Sequence, residues 1–180
     1  LTVLRNISTG PGSIGFAQYG SVNYIGRATE AWPADLDLDL VPDLVVGISS
    51  PINSYLKILR NTGGSGFTQQ DIFESGESIT GPTVADFDGD GKPDIAAGIR
   101  FDIAMFRNNS QPGTIQMNPR VLITGRIPER LYSADMDGDG RTDLINLTRN
   151  GSGAYFSVMK NSSSGPGNFG FDDAVRFAYG

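Results

Sequence analysis

An acidic pattern, D-x-D-x-D-x-x-x-D, occurs three times in this chain, and it constrains the fold more than any other feature. The copies are Asp35, Asp37, Asp39 and Asp43; Asp86, Asp88, Asp90 and Asp94; and Asp135, Asp137, Asp139 and Asp143. Their opening aspartates stand 51 and 49 residues apart. Four carboxylates within nine residues repel one another, and a cation turns that repulsion into a gain. Hard oxygen donors at alternate positions suit Ca²⁺, which accepts six to eight oxygens at flexible distances. Mg²⁺ demands stricter octahedral geometry and keeps its waters, so it is the weaker candidate. In such a loop the side chains of positions 1, 3 and 5 point inward. Position 7 offers a backbone carbonyl, here from Val41, Lys92 and Arg141, and position 9 supplies the closing aspartate.

Two windows, DFDGDGKPD and DMDGDGRTD, carry glycine at positions 4 and 6 (Gly89, Gly91, Gly138, Gly140), where a tight wrap needs positive φ. The first window has Leu38 and Leu40 there instead. A left-handed leucine costs about 1–2 kcal/mol, so that loop is expected either to be reshaped or to bind metal more weakly. Two Ca²⁺ sites are therefore assigned at the glycine-bearing windows, with a third as a candidate. Asp-Gly pairs also form turns without metal, but two complete windows at matching positions go beyond what turn chemistry needs. An EF-hand does not fit. Its twelfth position calls for a bidentate Glu, whereas Val46, Ala97 and Asn146 stand there. The loops also run into the β-prone segments DLVVG, DIAAG and DLINL.

Charge follows the same loops. Twelve of the 20 acidic residues lie in the three windows, and outside them the chain is net positive. Three divalent ions would cancel the formal charge of −6. An acidic balance argues against a nucleic-acid partner, which needs a basic stripe. With no His and no Cys, imidazole triads and His or Cys zinc sites are excluded, and no disulfide framework is possible. Apolar runs such as Ile95–Ala97 are far too short to cross a bilayer. The 38% hydrophobic content excludes an acidic disordered tail. The start at Leu1, with no leader pattern, suggests processing or truncation.

A second marker keeps similar time: Arg5-Asn6, Arg60-Asn61, Arg107-Asn108 and Lys160-Asn161, each after a short apolar stretch. Three of the four lead through a Gly-rich turn to a Phe, as in TGGSGF. A period near fifty with several short strands per unit is the signature of a propeller blade. Each unit reads as four strands, A before the acidic loop and B after it, then the strand ending in the basic-Asn pair, then D. Strand A ends on a small residue in all three copies (Ala34, Ala85, Ala134), which fits a crowded inner strand. The expected fold is all-β: β-propeller blades of four antiparallel strands, about three and a half of them. Residues 1–26 would form a half blade of outer strands, and 27–77, 78–125 and 126–180 full blades. Since a ring needs four to eight blades, the segment is expected to belong to a larger, seven-bladed propeller. Its open strand edges would meet the rest of that propeller or a neighbouring chain.

The segments DFDGDGKPDIAAG and DMDGDGRTDLINL, each followed by a strand, an Asn-containing turn and a G-x-F element, resemble FG-GAP/VCBS-type repeats. Such repeats build the calcium-binding propeller of integrin α chains and of many secreted bacterial proteins. The resemblance implies that each loop joins strands A and B at one rim and holds a Ca²⁺. It also implies an extracellular or cell-surface setting. Leu38, Leu40, the absent half blade and Asn146 in place of an apolar strand residue depart from the pattern.

The expected function is a non-catalytic, calcium-stabilised binding, adhesion or scaffold module of a secreted or cell-surface protein, with a protein or glycan ligand. No nucleophile–base pair is evident. The other carboxylates (Glu30, Asp71, Glu74, Glu77, Asp102, Glu129, Asp172, Asp173) show no recurring spacing. An alternative is the propeller of a carbohydrate-active enzyme, a polysaccharide lyase or a glycosidase using two of these carboxylates. A further alternative is a glycan-binding lectin, with Trp32, Tyr55, Tyr132 and Tyr155 as stacking candidates, although packing between blades is the better explanation of such aromatics, Trp32 and Tyr132 standing at equivalent positions. The N-x-S/T triplets at Asn6, Asn108, Asn146, Asn150 and Asn161 permit N-glycosylation in a eukaryote. Turn chemistry accounts for three of them.

Overall fold

The computed structural model describes residues 1–24, 26–63, 66–126, 128–150 and 153–178, without the side chains of Asp71, Ser75, Arg149, Asn150 and Ala178. The carboxylate of Asp71 and the carboxamide of Asn150 thus lie outside the described residues. Everything regular is strand. A two-stranded hairpin, β1 (Thr2–Asn6) with β2 (Phe16–Ser21), is followed by three four-stranded antiparallel meanders. The first meander is β3 (Arg27–Ala34), β4 (Asp43–Ser49), β5 (Ser54–Asn61) and β6 (Phe67–Ser75). The second is β7 (Ile79–Ala85), β8 (Asp94–Ile99), β9 (Asp102–Phe106) and β10 (Val121–Ile123). The third is β11 (Arg130–Ala134), β12 (Asp143–Asn150), β13 (Gly153–Met159) and β14 (Val175–Ala178). Small antiparallel sheets of this kind are consistent with propeller blades. No ring closure is seen among the described residues.

The sheets stack face on face through three apolar layers. Val22, Val46, Ile48 and Leu59 fill the space between the hairpin and the first meander. Leu36, Val45, Leu56 and Ile58 of the first meander meet Ile79, Ile95, Ala97 and Phe106 of the second. Phe87, Ala96, Ile103 and Met105 then meet Leu131, Leu144 and Met159 of the third. Alternation decides which residues serve which layer, since successive side chains on a strand point to opposite faces. Sheets flanked on both sides need two apolar faces, which explains why β8 is buried at all six positions. Its sequence, DIAAGI, uses small residues where both neighbours press in.

The first strands of the meanders, β3, β7 and β11, lie side by side. A crowded inner strand ending in alanine was expected there, and Ala34, Ala85 and Ala134 do end these strands. The approach is tight at Gly81, where φ is +47° and an added Cβ would stand 2.7 Å from the Leu131 nitrogen. The last strands vary more. Phe67 opens β6, but Phe171 stops short of β14 and makes only an isolated bridge to Asn161. Between β9 and β10 the chain makes an excursion with isolated bridges Asn108↔Met117 and Gln111↔Thr114, and its Ile115 plugs the layer below.

Candidate metal centre

Each acidic window is the loop between the first and second strand of a meander. The register pairs Ala34 with Asp43, Ala85 with Asp94 and Ala134 with Asp143, so the strands themselves bring position 9 back beneath position 1. Inside the loop the opening aspartate acts as a hub for turn amides. Asp86 accepts from the N–H groups of Gly89 (2.8 Å) and Gly91 (2.8 Å), and Asp135 from Gly138 (2.7 Å) and Gly140 (2.9 Å). Asp35 accepts from Asp39 (3.0 Å) and Leu40 (2.9 Å). The amides of Val41, Lys92 and Arg141 at position 7 donate to the position-5 aspartates Asp39, Asp90 and Asp139. The Lys92 side chain leaves the loop and donates to the Ser110 carbonyl.

The wrap needs left-handed backbone at positions 4 and 6. Gly89, Gly91, Gly138 and Gly140 supply it with φ between 78° and 84°. Leu38 and Leu40 adopt the same region, with φ of 58° and 67°. Of the two outcomes expected for that loop, reshaping does not occur; the leucines take the strain and the path is kept.

The aspartates converge as a metal cage would require. One carboxylate oxygen from each of Asp35, Asp37 and Asp39 lies within 4.8 Å of the others, as do those of Asp86, Asp88 and Asp90. In the third loop the converging set is Asp135, Asp137 and Asp143. Asp139 is turned toward Arg141 Nη2 (2.8 Å) and Lys160 (3.2 Å). These are three aspartate triads that could hold metal ions. A test of fit comes from Asp37. It is fully buried, its Oδ2 is taken by Arg60, and its Oδ1 has no hydrogen-bond partner. A buried carboxylate oxygen left alone is costly, and a hard cation in the triad would satisfy it. The first triad therefore fits a hard cation.

The closing aspartates have a second task. Asp43 accepts the N–H of Leu36 (3.1 Å) and of Asn61 (2.8 Å). Asp94 accepts those of Phe87 and Asn108, and Asp143 those of Met136 and Asn161. Each therefore fastens the loop to the end of the third strand. Burial pushes the Asp94 carboxyl up to about 7 and Asp43 to about 6, against the pull of those N–H donors, with the neighbouring aspartates adding to the rise. Asp139 is held well below the usual range, first by Arg141 and then by Lys160.

Three of the four basic-Asn pairs, those at 60–61, 107–108 and 160–161, prove to be part of this site, a role that sequence reasoning, which read them as repeat markers and turns, did not assign. Arg60 Nε reaches Asp37 at 2.5 Å, Arg107 Nε reaches Asp88 at 2.6 Å, and Lys160 pairs with Asp137. The Asn108 carboxamide donates to the Pro93 carbonyl and also to Leu36 in the preceding meander. Asn161 likewise donates to Thr142 and to Phe87. Hairpin glycines add to the junction: Gly113 N donates to the Asp37 carbonyl and Gly167 N to the Asp88 carboxylate. A cleft of about 270 Å³ between the second and third loops is lined by Asp86, Asp88, Gly140, Thr142, Asn161 and Ser163. The loops therefore sit at the seams between sheets. The signal in the sequence was the constant pairing of a base with Asn in every repeat.

Elsewhere, Asn146, the departure from an apolar strand residue, is buried, its Nδ2 donating to the Arg126 carbonyl (2.8 Å) and its Oδ1 without a partner. The aromatics considered for sugar stacking lie on separate strands: Trp32 on β3, Tyr55 on β5, Tyr132 on β11 and Tyr155 on β13. Lys57 lies over the Tyr55 ring and Arg176 over that of Tyr155.

Two acidic loops, the seam between them and the strands that carry them together form a recognisable unit. Residues 35–97 are an FG-GAP-like repeat. The matched span of the FG-GAP-like repeat opens at the first acidic loop, leucines included, and ends within β8 just past the second. No curated protein and no solved structure matches the chain.

Proposed function

We propose that the chain is a non-catalytic, calcium-stabilised binding or scaffold module of a secreted or cell-surface protein, in which Ca²⁺ held by the acidic loops clips successive sheets together. The observation that carries this reading is the unpartnered, buried Oδ1 of Asp37 inside a triad of carboxylates. The donor set is all oxygen, and the FG-GAP-like repeat spans two of the three loops. Bound calcium would supply the positive charge that these carboxylates lack, and it would do so at the sheet seams. Extracellular modules bind calcium with Kd of about 10⁻⁴–10⁻³ M, which matches a setting where calcium is plentiful. The partners proposed are further sheets of the same kind and a protein or glycan ligand.

The test is a thermal melt of the chain in excess CaCl₂ and in chelator. A hundredfold excess over Kd stabilises by about 2.7 kcal/mol per site. At about 2–4 °C per kcal/mol for a chain of this size, each occupied site should raise the Tm by several degrees. Coincident melts in the two buffers would refute the proposal.

A further inference from the structure

Each acidic loop faces a basic side chain from the end of its own meander's third strand. Arg60 sits 2.5 Å from Asp37 and 3.9 Å from Asp39; Arg107 sits 2.6 Å from Asp88 and 3.1 Å from Asp90. Lys160 contacts Asp137 and lies 3.2 Å from Asp139. The base meets positions 3 and 5 every time. Its place is set by the backbone, because the next residue's N–H is bonded to the closing aspartate in all three loops. In the first loop Arg60 binds one oxygen of Asp37 and leaves the other without a partner. The base therefore stands beside the cage without filling it.

We infer that Arg60, Arg107 and Lys160 are tethered counter-cations: they hold the loops folded when calcium is absent, and by their charge they weaken the binding of calcium when it arrives. The inference rests on the calcium reading above. Three or four carboxylates with no counter-charge would spring a loop open, so a metal-free chain needs a substitute, and a cation on the same chain provides it. Once a divalent ion enters, the same base is a like charge a few ångströms away and opposes it. The two effects have opposite signs. A residue that only packed against the loop, or only oriented a ligand, would not produce that pair. The third loop carries the most cationic charge, since Arg141 also bonds Asp139 through Nε (3.2 Å) and Nη2 (2.8 Å). It should bind calcium more weakly than the second loop.

The experiment compares the whole chain with its Lys160→Met and Lys160→Arg variants. Lys160 is half-exposed and its carboxylate partners are reached by water, so its loss leaves no buried charge unpaired. Melts in chelator should show Lys160→Met unfolding at a lower temperature than the parent, with Lys160→Arg unchanged. Calorimetric titration with CaCl₂ should show one site of Lys160→Met tightened by about three- to tenfold, the scale of one unit charge near a divalent ion under solvent screening. Arg107→Lys, which keeps the charge, should bind calcium as the parent does. Equal or weaker calcium binding by Lys160→Met would overturn the inference, and so would an unchanged melt in chelator. If the parent itself takes up no calcium, the metal reading fails separately. The chelator melts then decide the counter-cation role alone, a lower Tm for Lys160→Met supporting it and an equal one refuting it.

Discussion

Two leucines in the first acidic loop carry strain that the other two loops avoid. Leu38 and Leu40 hold φ of 58° and 67°, a region where a side chain costs about 1–2 kcal/mol and glycine costs almost nothing. Leu40 is 91% exposed and so gains little from packing in return. Glycine gives back part of the benefit through its freer unfolded chain. The net expectation for Leu40→Gly is a gain of about 0.5–1 kcal/mol, read as a rise in the midpoint of urea unfolding with unchanged m. The reverse exchange at the equivalent position of the third loop, Gly140→Leu, should lose a similar amount. A fall in midpoint for Leu40→Gly would mean that the exposed leucine makes a contact absent from this geometry. At this scale the sequence announced the need for positive φ at positions 4 and 6, but not how two leucines would meet it. The aspartate cage holds its neighbours in place through Asp35, whose two oxygens bind the amides of Asp39 and Leu40. Those bonds outweigh a local preference.

Between elements, asparagine adds a polar tie from one meander to the next beside the apolar layers. Asn108 is fully buried, its Nδ2 bonded to Leu36 O across the seam (2.9 Å) and to Pro93 O (3.0 Å), its Oδ1 to Ser110 N (2.9 Å). Truncation to alanine spares the backbone bond to Asp94 but leaves these groups buried without partners. At about 1–3 kcal/mol for a buried group left unsatisfied, Asn108→Ala should lose about 2–4 kcal/mol. Asn61 is the contrast. Its Nδ2 donates to Pro42 O at 3.2 Å near solvent and its Oδ1 accepts the Tyr19 hydroxyl of the hairpin (2.9 Å), a seam bond that is only part-buried, and Asn61→Ala should lose about 1 kcal/mol. Equal losses in chemical denaturation would show that burying the seam bond adds nothing. The strands and loops were legible in the sequence because alternation and the nine-residue acidic pattern are local. The basic-Asn pair was visible too, but its chemistry was not. Its partners lie 14 to 74 residues away, and Asn in a turn is explained without them. For the same reason the diversion of Asp139 to Arg141 and Lys160 escaped notice: a pattern of spacing does not say which cation a carboxylate will face.

Across the whole molecule, position 2 of each acidic loop reports whether its sheet is covered on the following side. Leu36 is 0% exposed and Phe87 1%, each roofed by the next meander, whereas Met136 is 50% exposed. Val45 and Ala96 are likewise buried in those layers, and Ile145 is their register equivalent in the third meander. The uncovered face runs on through Phe156 and Phe177, stacked at 4.8 Å, and a cavity of about 600 Å³ opens among Met136, Phe156, Val158, Val175 and Phe177. At the other end of the stack, Leu4 and Phe16 expose apolar area on the β1–β2 hairpin. Two different apolar ends on one chain favour a head-to-tail contact, which does not consume both surfaces and so continues from copy to copy. In a solution of this chain alone, the occupant open to the Met136 face is a second copy. Sedimentation velocity over a range of micromolar concentrations should therefore show mass-action association. Met136→Gln combined with Val175→Asp, both at exposed positions outside the stacked ring pair, should shift the chain toward monomer. A chain that stays monomeric at every concentration, or a double variant that associates as strongly as the parent, would show that this face needs no cover.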